Sequence, residues 1–358
     1  MGRADLNADQ PPEQQSGLFS DGLPTVCDPE PVLPRTARRV LPAALDPRCH
    51  DLAQVLGPLI RFGPSSWHFP GWEGLVWDRQ HSPALLSRHG LAALSAHPLL
   101  RCVSVDRSFY RPVDEATFRS MAQQVSDDFR FVVKAPSLTT DATLRDPATG
   151  RGLQDNPNFL DPASAITQFV TPAAVGLGQH LGALVFQLSP LPSRWREDPH
   201  KLFPRLRAML TACRDAAPAA VVAIEVRDAS WLTPEFAELL RATGTRYCLG
   251  LQDRMPTVED QLPMLRALWP GPLVCRWNLQ RGLRYADAKG QFDPFDRLQA
   301  PDLPTRAALA RVVAATAKAG HGVFITINNK AEGSAPCSVV SLAESVVEEW
   351  KRRLAAPS

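Results

Sequence analysis

From residue 59 onward, short apolar runs alternate with longer segments whose apolar positions recur at helical spacing, and the cycle repeats eight times. The runs fall at 60–65, 102–106, 129–135, 183–188, 220–226, 245–251, 273–276 and 322–327. The helical segments between and after them fall at 83–96, 114–126, 163–180, 201–216, 233–243, 258–268, 304–319 and 338–354. Asp114, Thr233 and Ser338 open their segments with side chains suited to capping a helix. Eight strands in strict alternation with eight helices predict an α/β fold, a TIM-type (β/α)8 barrel, in preference to an open doubly wound sheet. Two connections that follow a strand are long, 136–161 and 277–303. In a barrel such loops lie at the carboxyl ends of the strands, where active sites form, so both are expected to act as lids.

Residues 1–58 lack this periodicity. Stretches such as Pro11-Pro12-Glu13-Gln14-Gln15 and Asp28-Pro29-Glu30-Pro31 have too little apolar surface to build a core. The expected organisation is a proline-rich flexible arm over 1–58, either a tail or docked on the barrel, and a barrel domain over 59–355. The seven cysteines (Cys27, Cys49, Cys102, Cys213, Cys248, Cys275 and Cys337) are odd in number and contain no C-x-x-C pair, which argues against a disulfide framework or a zinc knuckle. Cys102, Cys248 and Cys275 lie within apolar runs and read as small buried hydrophobes. Met1 to Leu6 begin no apolar run, and no stretch approaches the roughly 20 apolar residues of a membrane span, so a cytoplasmic protein is expected. A net charge of +2 supplies no field that would favour nucleic acid or a membrane surface.

Successive side chains of a strand point to opposite faces, which assigns each residue to the helix layer or the interior. Val103 and Val105 suit the helix side and turn Ser104 and Asp106 inward. By the same phase Lys134 points inward from Phe131-Val132-Val133-Lys134. Val222, Ile224 and Val226 face the helices while Ala223, Glu225 and Arg227 do not. Gln187, Arg276, Thr326 and Asn328 follow the same rule; the first strand ends at Ser65-Ser66 and the sixth runs into Gln252-Asp253. Every polar residue falls at a carboxyl end. A barrel needing only volume would use Val, Ile or Leu there, so a ligand pocket is expected in preference to a polar plug.

The runs Phe62-Gly63-Pro64-Ser65-Ser66-Trp67, Phe109-Tyr110-Arg111, Phe131-Val132-Val133-Lys134-Ala135-Pro136, Val185-Phe186-Gln187-Leu188, Ile224-Glu225-Val226-Arg227-Asp228-Ala229-Ser230-Trp231 and Ile327-Asn328-Asn329 occur in that order. Together they resemble the domain of unknown function 72 family, also called YecE-like, over about residues 59 to 350. The resemblance implies a TIM-type barrel and no established activity. Two elements depart from the family pattern. Ser104-Val105-Asp106 stands where the family usually has Glu-x-Asn, and Leu138-Thr139-Thr140-Asp141 where it commonly has Ile-Thr-His.

Glu225 is the first candidate for a general acid or base, with an ordering ion pair to Arg227 or Lys134 as the structural alternative. Lys134 is read as an anion binder or charge partner, with Schiff-base chemistry the sharper option. Arg227 and Arg276 suit carboxylate or phosphate. Asp106, Asp253 and Asn328 are assigned to orienting hydroxyls or cations, and Asp106 and Asp253 join the catalytic candidates. Ser65, Trp67, Tyr110, Arg111, Gln187 and Asn329 complete the expected ligand contacts. Trp67 and Tyr110 belong with Phe69, Trp72, Trp77, Trp231 and Trp277 to a group of rings that either stack on a ligand or pack the barrel mouth. The turn Asn328 to Ser334, before a helix opening near Ser338, offers amides for a phosphate. No cofactor motif appears, although Asp106, Glu225 and Asp253 with His68 would suit Mg²⁺ or Mn²⁺ if gathered. The leading expectation is a hydrolase or isomerase for a small anionic or sugar-like substrate. A non-catalytic barrel that binds a metabolite or a protein is the alternative, and a nucleic-acid-binding protein is a third that the charge disfavours. The oligomeric state stays open.

Overall fold

The computed structural model describes residues 39–146, 152–192, 195 and 198–355 of the 358-residue chain. In chain order its strands are β1 (Ile60–Pro64), β2 (Cys102–Val105), β3 (Arg130–Lys134), β4 (Thr143–Arg145), β5 (Gly152–Asp155), β6 (Leu181–Gln187), β7 (Val221–Glu225), β8 (Arg246–Leu251), β9 (Leu273–Trp277) and β10 (Val323–Ile327). β4 and β5 form a separate antiparallel hairpin. The other eight make one parallel sheet in the order β1-β10-β9-β8-β7-β6-β3-β2. β1 returns to β2 through a parallel bridge between Phe62 and Leu100, where the Arg101 N–H donates to the Phe62 carbonyl at 2.8 Å. The expected TIM-type barrel is therefore present and nearly closed. Each of its strands lies within two residues of the run that predicted it.

The helices follow the predicted segments with local breaks. Segment 83–96 divides at Gly90 into Pro83–His89 and Leu91–Ser95. Segment 163–180 contains a wide turn at Ile166–Val170 between Pro162–Ala165 and Thr171–Leu177. The stretch read as an arm also contributes structure. Residues 1–38 lie outside the described residues, but Val40 is buried, and the Asp78 N–H donates to the Leu41 carbonyl at 3.0 Å. A helix follows at Arg48–Leu56 and pairs Arg48 with Glu344 at 3.0 Å on the closing helix Ala335–Ala355. Its signal is present in the sequence, since Cys49, Leu52, Ala53 and Leu56 recur at i, i+3, i+4 and i+7.

Pleating sorts the barrel into two apolar layers. Val103, Val105, Phe131, Val133, Val222, Ile224, Ile325 and Ile327 join the large cluster beneath the helices. Val132, Ala183, Val185, Ala223, Cys248, Val274 and Phe324 form a distinct cluster inside the barrel. Each fully buried aliphatic side chain contributes about 1.5–3 kcal/mol by leaving water. The next inward positions up the strands are polar, and burying those is favourable only if they satisfy one another. Among the described residues no helix is long and apolar enough to cross a membrane.

Candidate functional site at the barrel mouth

Above the apolar floor, Ser104, Lys134, Gln187, Glu225 and Arg276 occupy the last inward position of their strands, all of them buried. Arg276 is the hub. Its Nη1 donates to Glu225 Oε2 at 2.6 Å and to Gln187 Oε1 at 3.2 Å, and its Nη2 donates to both Asp106 oxygens at 2.9 and 2.7 Å. The second Glu225 oxygen lies 2.9 Å from Arg227 Nη2 and accepts from Asn278 Nδ2 at 3.3 Å. Arg227 also donates to the side-chain carbonyls of Gln187 and Gln252. Gly250 on β8 makes room for this network, because a Cβ there would stand 3.2 Å from Glu225 Cγ. Ser104 Oγ donates to Asp106 Oδ1 at 2.6 Å.

The electrostatics follow from this packing. Burial alone would raise the Glu225 pKa, but Arg227, Arg276 and Lys134 together hold it below the usual carboxylate range. A carboxylate so fixed stays ionised, and in the structure it is ion-paired with Arg227 and Arg276. Lys134 behaves oppositely. Desolvation first, then the neighbouring Arg276 and Arg227, outweigh the pull of Asp106 and Glu225 and bring its pKa down to about 7. Its Nζ lies 3.6 Å from the centre of the Phe109 ring. Ser108 Oγ bonds both the Lys134 and Val105 carbonyls, at 2.5 and 2.6 Å, and so ties the Asp106–Phe109 turn to the end of β3.

A cleft of about 80 Å³ opens beside this cluster, walled by the ends of β1, β2 and β10 and by the turns after them. Ser65, Trp67, Tyr110 and Asn328, read from the sequence as ligand contacts, line it together with Asp106, read as a catalytic candidate. Asn328 Nδ2 donates to Ser65 Oγ at 2.8 Å, which locks β10 to β1 at the rim. Ser66 Oγ and His68 Nδ1 share a hydrogen bond of 2.8 Å on the same wall. Other predicted residues lie elsewhere. Asp253 and Arg111 are exposed, and neither lines the cleft. With Asp253 in solvent and both Glu225 oxygens held by cations, the set of His68, Asp106, Glu225 and Asp253 is not gathered as a metal site. Among the described residues no group of three or more His, Cys, Asp or Glu is placed to hold a metal ion.

Asn329 is buried beneath the cleft, with Oδ1 accepting from the Trp72 indole at 3.3 Å and from the Ala335 N–H at 2.8 Å. The start of the last helix is thus capped by the protein itself. The turn 329–334 is buried throughout, and the Lys330 and Ala335 amides are taken by the side chains of Asn328 and Asn329. Asn329→Ala is expected to lower stability by about 1–2 kcal/mol through loss of the cap and the indole bond. Urea unfolding measures it.

Of the two loops expected as lids, 277–303 brings Tyr285 to the cleft wall, while the described residues of 136–161 supply none of its lining. Tyr285, Arg107 and Ser87 are the wall residues that sequence reasoning missed: the first two lie in connections with no pleat to assign them, and Ser87 on a helix, which the strand phase does not reach. Arg107 lies over the Trp67 ring at 5.7 Å, and Lys330 lies behind Tyr285 at 4.3 Å from its ring centre.

Comparison with known proteins bears on the fold. A family model described as protein of unknown function DUF72 matches residues 61–358. A crystal structure of a DUF72 family protein from Thermotoga maritima MSB8 superposes with a TM-score of 0.52 at 18% identity, over 82% of this chain and 99% of that one. A DUF72 family protein from Enterococcus faecalis V583 gives a TM-score of 0.51 at 18% identity, over 84% of this chain and 97% of that one. No curated protein matches the sequence. At such identities the likeness extends to architecture alone.

Proposed function

This chain belongs to the DUF72 family, and on that premise we propose that it is an enzyme, a hydrolase or isomerase that takes a small, hydroxylated anionic substrate in the cleft at the barrel mouth. The observation that carries this reading is the position of Asp106. It lines the cleft and at the same time belongs to the buried cluster through Arg276, so a ligand hydroxyl that reaches it meets a carboxylate of fixed orientation. The cluster pairs two guanidiniums, Arg227 and Arg276, with two carboxylates, Asp106 and Glu225; Lys134, brought down to about 7, is only partly charged, and Arg107 adds an unbalanced cation on the cleft wall. That imbalance favours an anion.

In this reading Asp106 contacts the substrate, and Lys134 takes up and returns the proton. An amine whose pKa lies near neutrality suits either direction of transfer. Lys134 packs against the Phe109 ring and does not itself line the cleft, whereas the adjacent Tyr110 does, so in this reading the Asp106–Tyr110 turn moves to bring substrate to the amine. Glu225, Arg227 and Gln187 are positioning residues, as is Arg276. A purified sample screened by thermal shift against sugar acids, sugar phosphates and polyols should yield a stabilising ligand, which NMR then follows for conversion. Asp106→Asn is expected to reduce turnover at least about a hundredfold while the protein stays folded. Turnover unchanged in that variant would remove the assignment.

One observation favours a binding protein instead. Both Asp106 oxygens already accept from Arg276, which leaves them fewer lone pairs for a substrate proton. A ligand that stabilises the protein but is never converted, under conditions that support related hydrolases and isomerases, would decide for that reading.

A further inference from the structure

Away from the mouth, on the flank of the barrel, helices Val258–Ala267 and Leu303–Lys318 leave a groove of about 430 Å³ that runs toward the amino ends of β8 and β9. Its walls are aliphatic, with Leu262, Leu265, Val312 and Ala315 each partly uncovered. The polar groups at its floor are satisfied internally. Tyr247 donates its hydroxyl to Gln261 Oε1 at 2.5 Å, and Thr316 donates to the Val312 carbonyl at 2.9 Å. The floor therefore offers a ligand apolar contact and little else. Volume and lining are those of small-molecule sites, which pair apolar walls with a few placed polar groups.

Those polar groups are at the rim. Arg246, Arg266 and Arg311 stand there against the single carboxylate of Glu259, which pairs with Arg311 at 2.7 Å. Arg246 is held in place by its surroundings. It donates to the Leu268 and Pro270 carbonyls, and it lies over Gly271, where a Cβ would come within 2.0 Å of its guanidinium. Partial burial pushes its pKa down, so an anionic partner would relieve a charge that the protein has partly desolvated. Trp269 is 48% exposed and belongs to the same lining.

We propose that this groove is a binding site for an anionic amphiphile, with an unbranched alkyl chain along the leucine and valine walls and its carboxylate at the arginine rim. The site is separate from the mouth and does not depend on the reaction proposed there. Charge complementarity selects the headgroup, because three guanidiniums face one carboxylate. The satisfied floor selects the chain, because a polar ligand would find nothing there to replace its lost water.

The full chain, titrated with octanoate, decanoate, dodecanoate and decanol below their micellar concentrations, reports binding through Trp269 emission, with Trp269→Phe as the control. Saturable binding is expected, tightening about fourfold per added methylene until the groove fills. Decanoate should bind roughly tenfold tighter than decanol, and the exposed Arg266→Glu should erase that preference without changing decanol binding. Val312→Trp should block all four probes. Equal affinity for decanol and decanoate in the parent protein would overturn the proposal, as would binding that Val312→Trp and Arg266→Glu both leave intact. Self-association of the parent that Val312→Trp abolishes would also overturn it and make the groove a contact between copies.

Discussion

Arg276→Met is expected to destabilise the barrel by roughly 3–5 kcal/mol, the range seen when one partner of a buried ion pair is removed. The effect is large because this guanidinium serves two carboxylates at once, Glu225 on β7 and Asp106 at the end of β2. Methionine fills much of the volume and adds no charge, so the loss measures stranded carboxylates more than a cavity. Arg227 and Asn278 would still hold one Glu225 oxygen, and Ser104 one Asp106 oxygen, which keeps the expected loss within that range. The double variant Glu225→Gln with Arg276→Met should lose clearly less than the two single losses added together, since each single change leaves a charge that the other removes. Arg311→Met makes the contrast. Its pair with Glu259 is about half exposed, and such pairs contribute at most about 1 kcal/mol. Urea midpoints for the parent and the four variants, with an unchanged denaturant slope, are the measurement. An Arg276→Met midpoint close to that of Arg311→Met would mean that water reaches the cluster and that its charges are not held as the packing indicates.

Most of that cluster could be read from residue types alone, and the reason is geometric. Lys134, Gln187, Glu225 and Arg276 lie within strands, where a period of two assigns every side chain to a face once the valines beside it are placed. Asp106 lies one residue past β2, and the same phase still held. Asp253 and Asn329 lie two residues past β8 and β10, where the pleat was not applied to them; continued from Leu251 and Ile327, which pack beneath the helices, the alternation turns both away from the barrel axis. Asp253 points to water, and Asn329 goes beneath the last helix. What each group does was less legible than where it points. Glu225 and Lys134 are both ionisable residues at strand ends, yet one is held charged and the other is pushed toward neutrality. The difference comes from which neighbours each strand brings alongside, and those are long-range contacts such as Arg276 to Glu225, 51 residues apart. Tyr285, Arg107 and Asn278 come from turns and loops, whose side chains carry no comparable signal.

The charge of Lys134 should be visible as a pH dependence of folding. Its pKa falls from 10.5 in the unfolded reference to about 7 in the fold. Below pH 7 both states hold the proton, and the fold carries the full cost of a buried ammonium. Between about pH 7 and 10.5 the unfolded chain keeps a proton that the folded protein has released. Stability therefore rises with pH across that window, at about 1.4 kcal/mol per pH unit from this one group, and levels off above it. Lys134→Met removes the contribution. The variant is expected to be the more stable protein at pH 6, by an amount on the order of 4 kcal/mol greater than at pH 10.5. Differencing the two proteins cancels the tyrosines, cysteines and other lysines that titrate in the same range. Denaturation of both between pH 6 and 10.5 provides the comparison, and parallel stability curves would show that the amine keeps its ordinary pKa. The same titration bears on chemistry, because a proton carried by Lys134 should give turnover an apparent pKa near 7 that Asp106→Asn shifts and Arg311→Met does not.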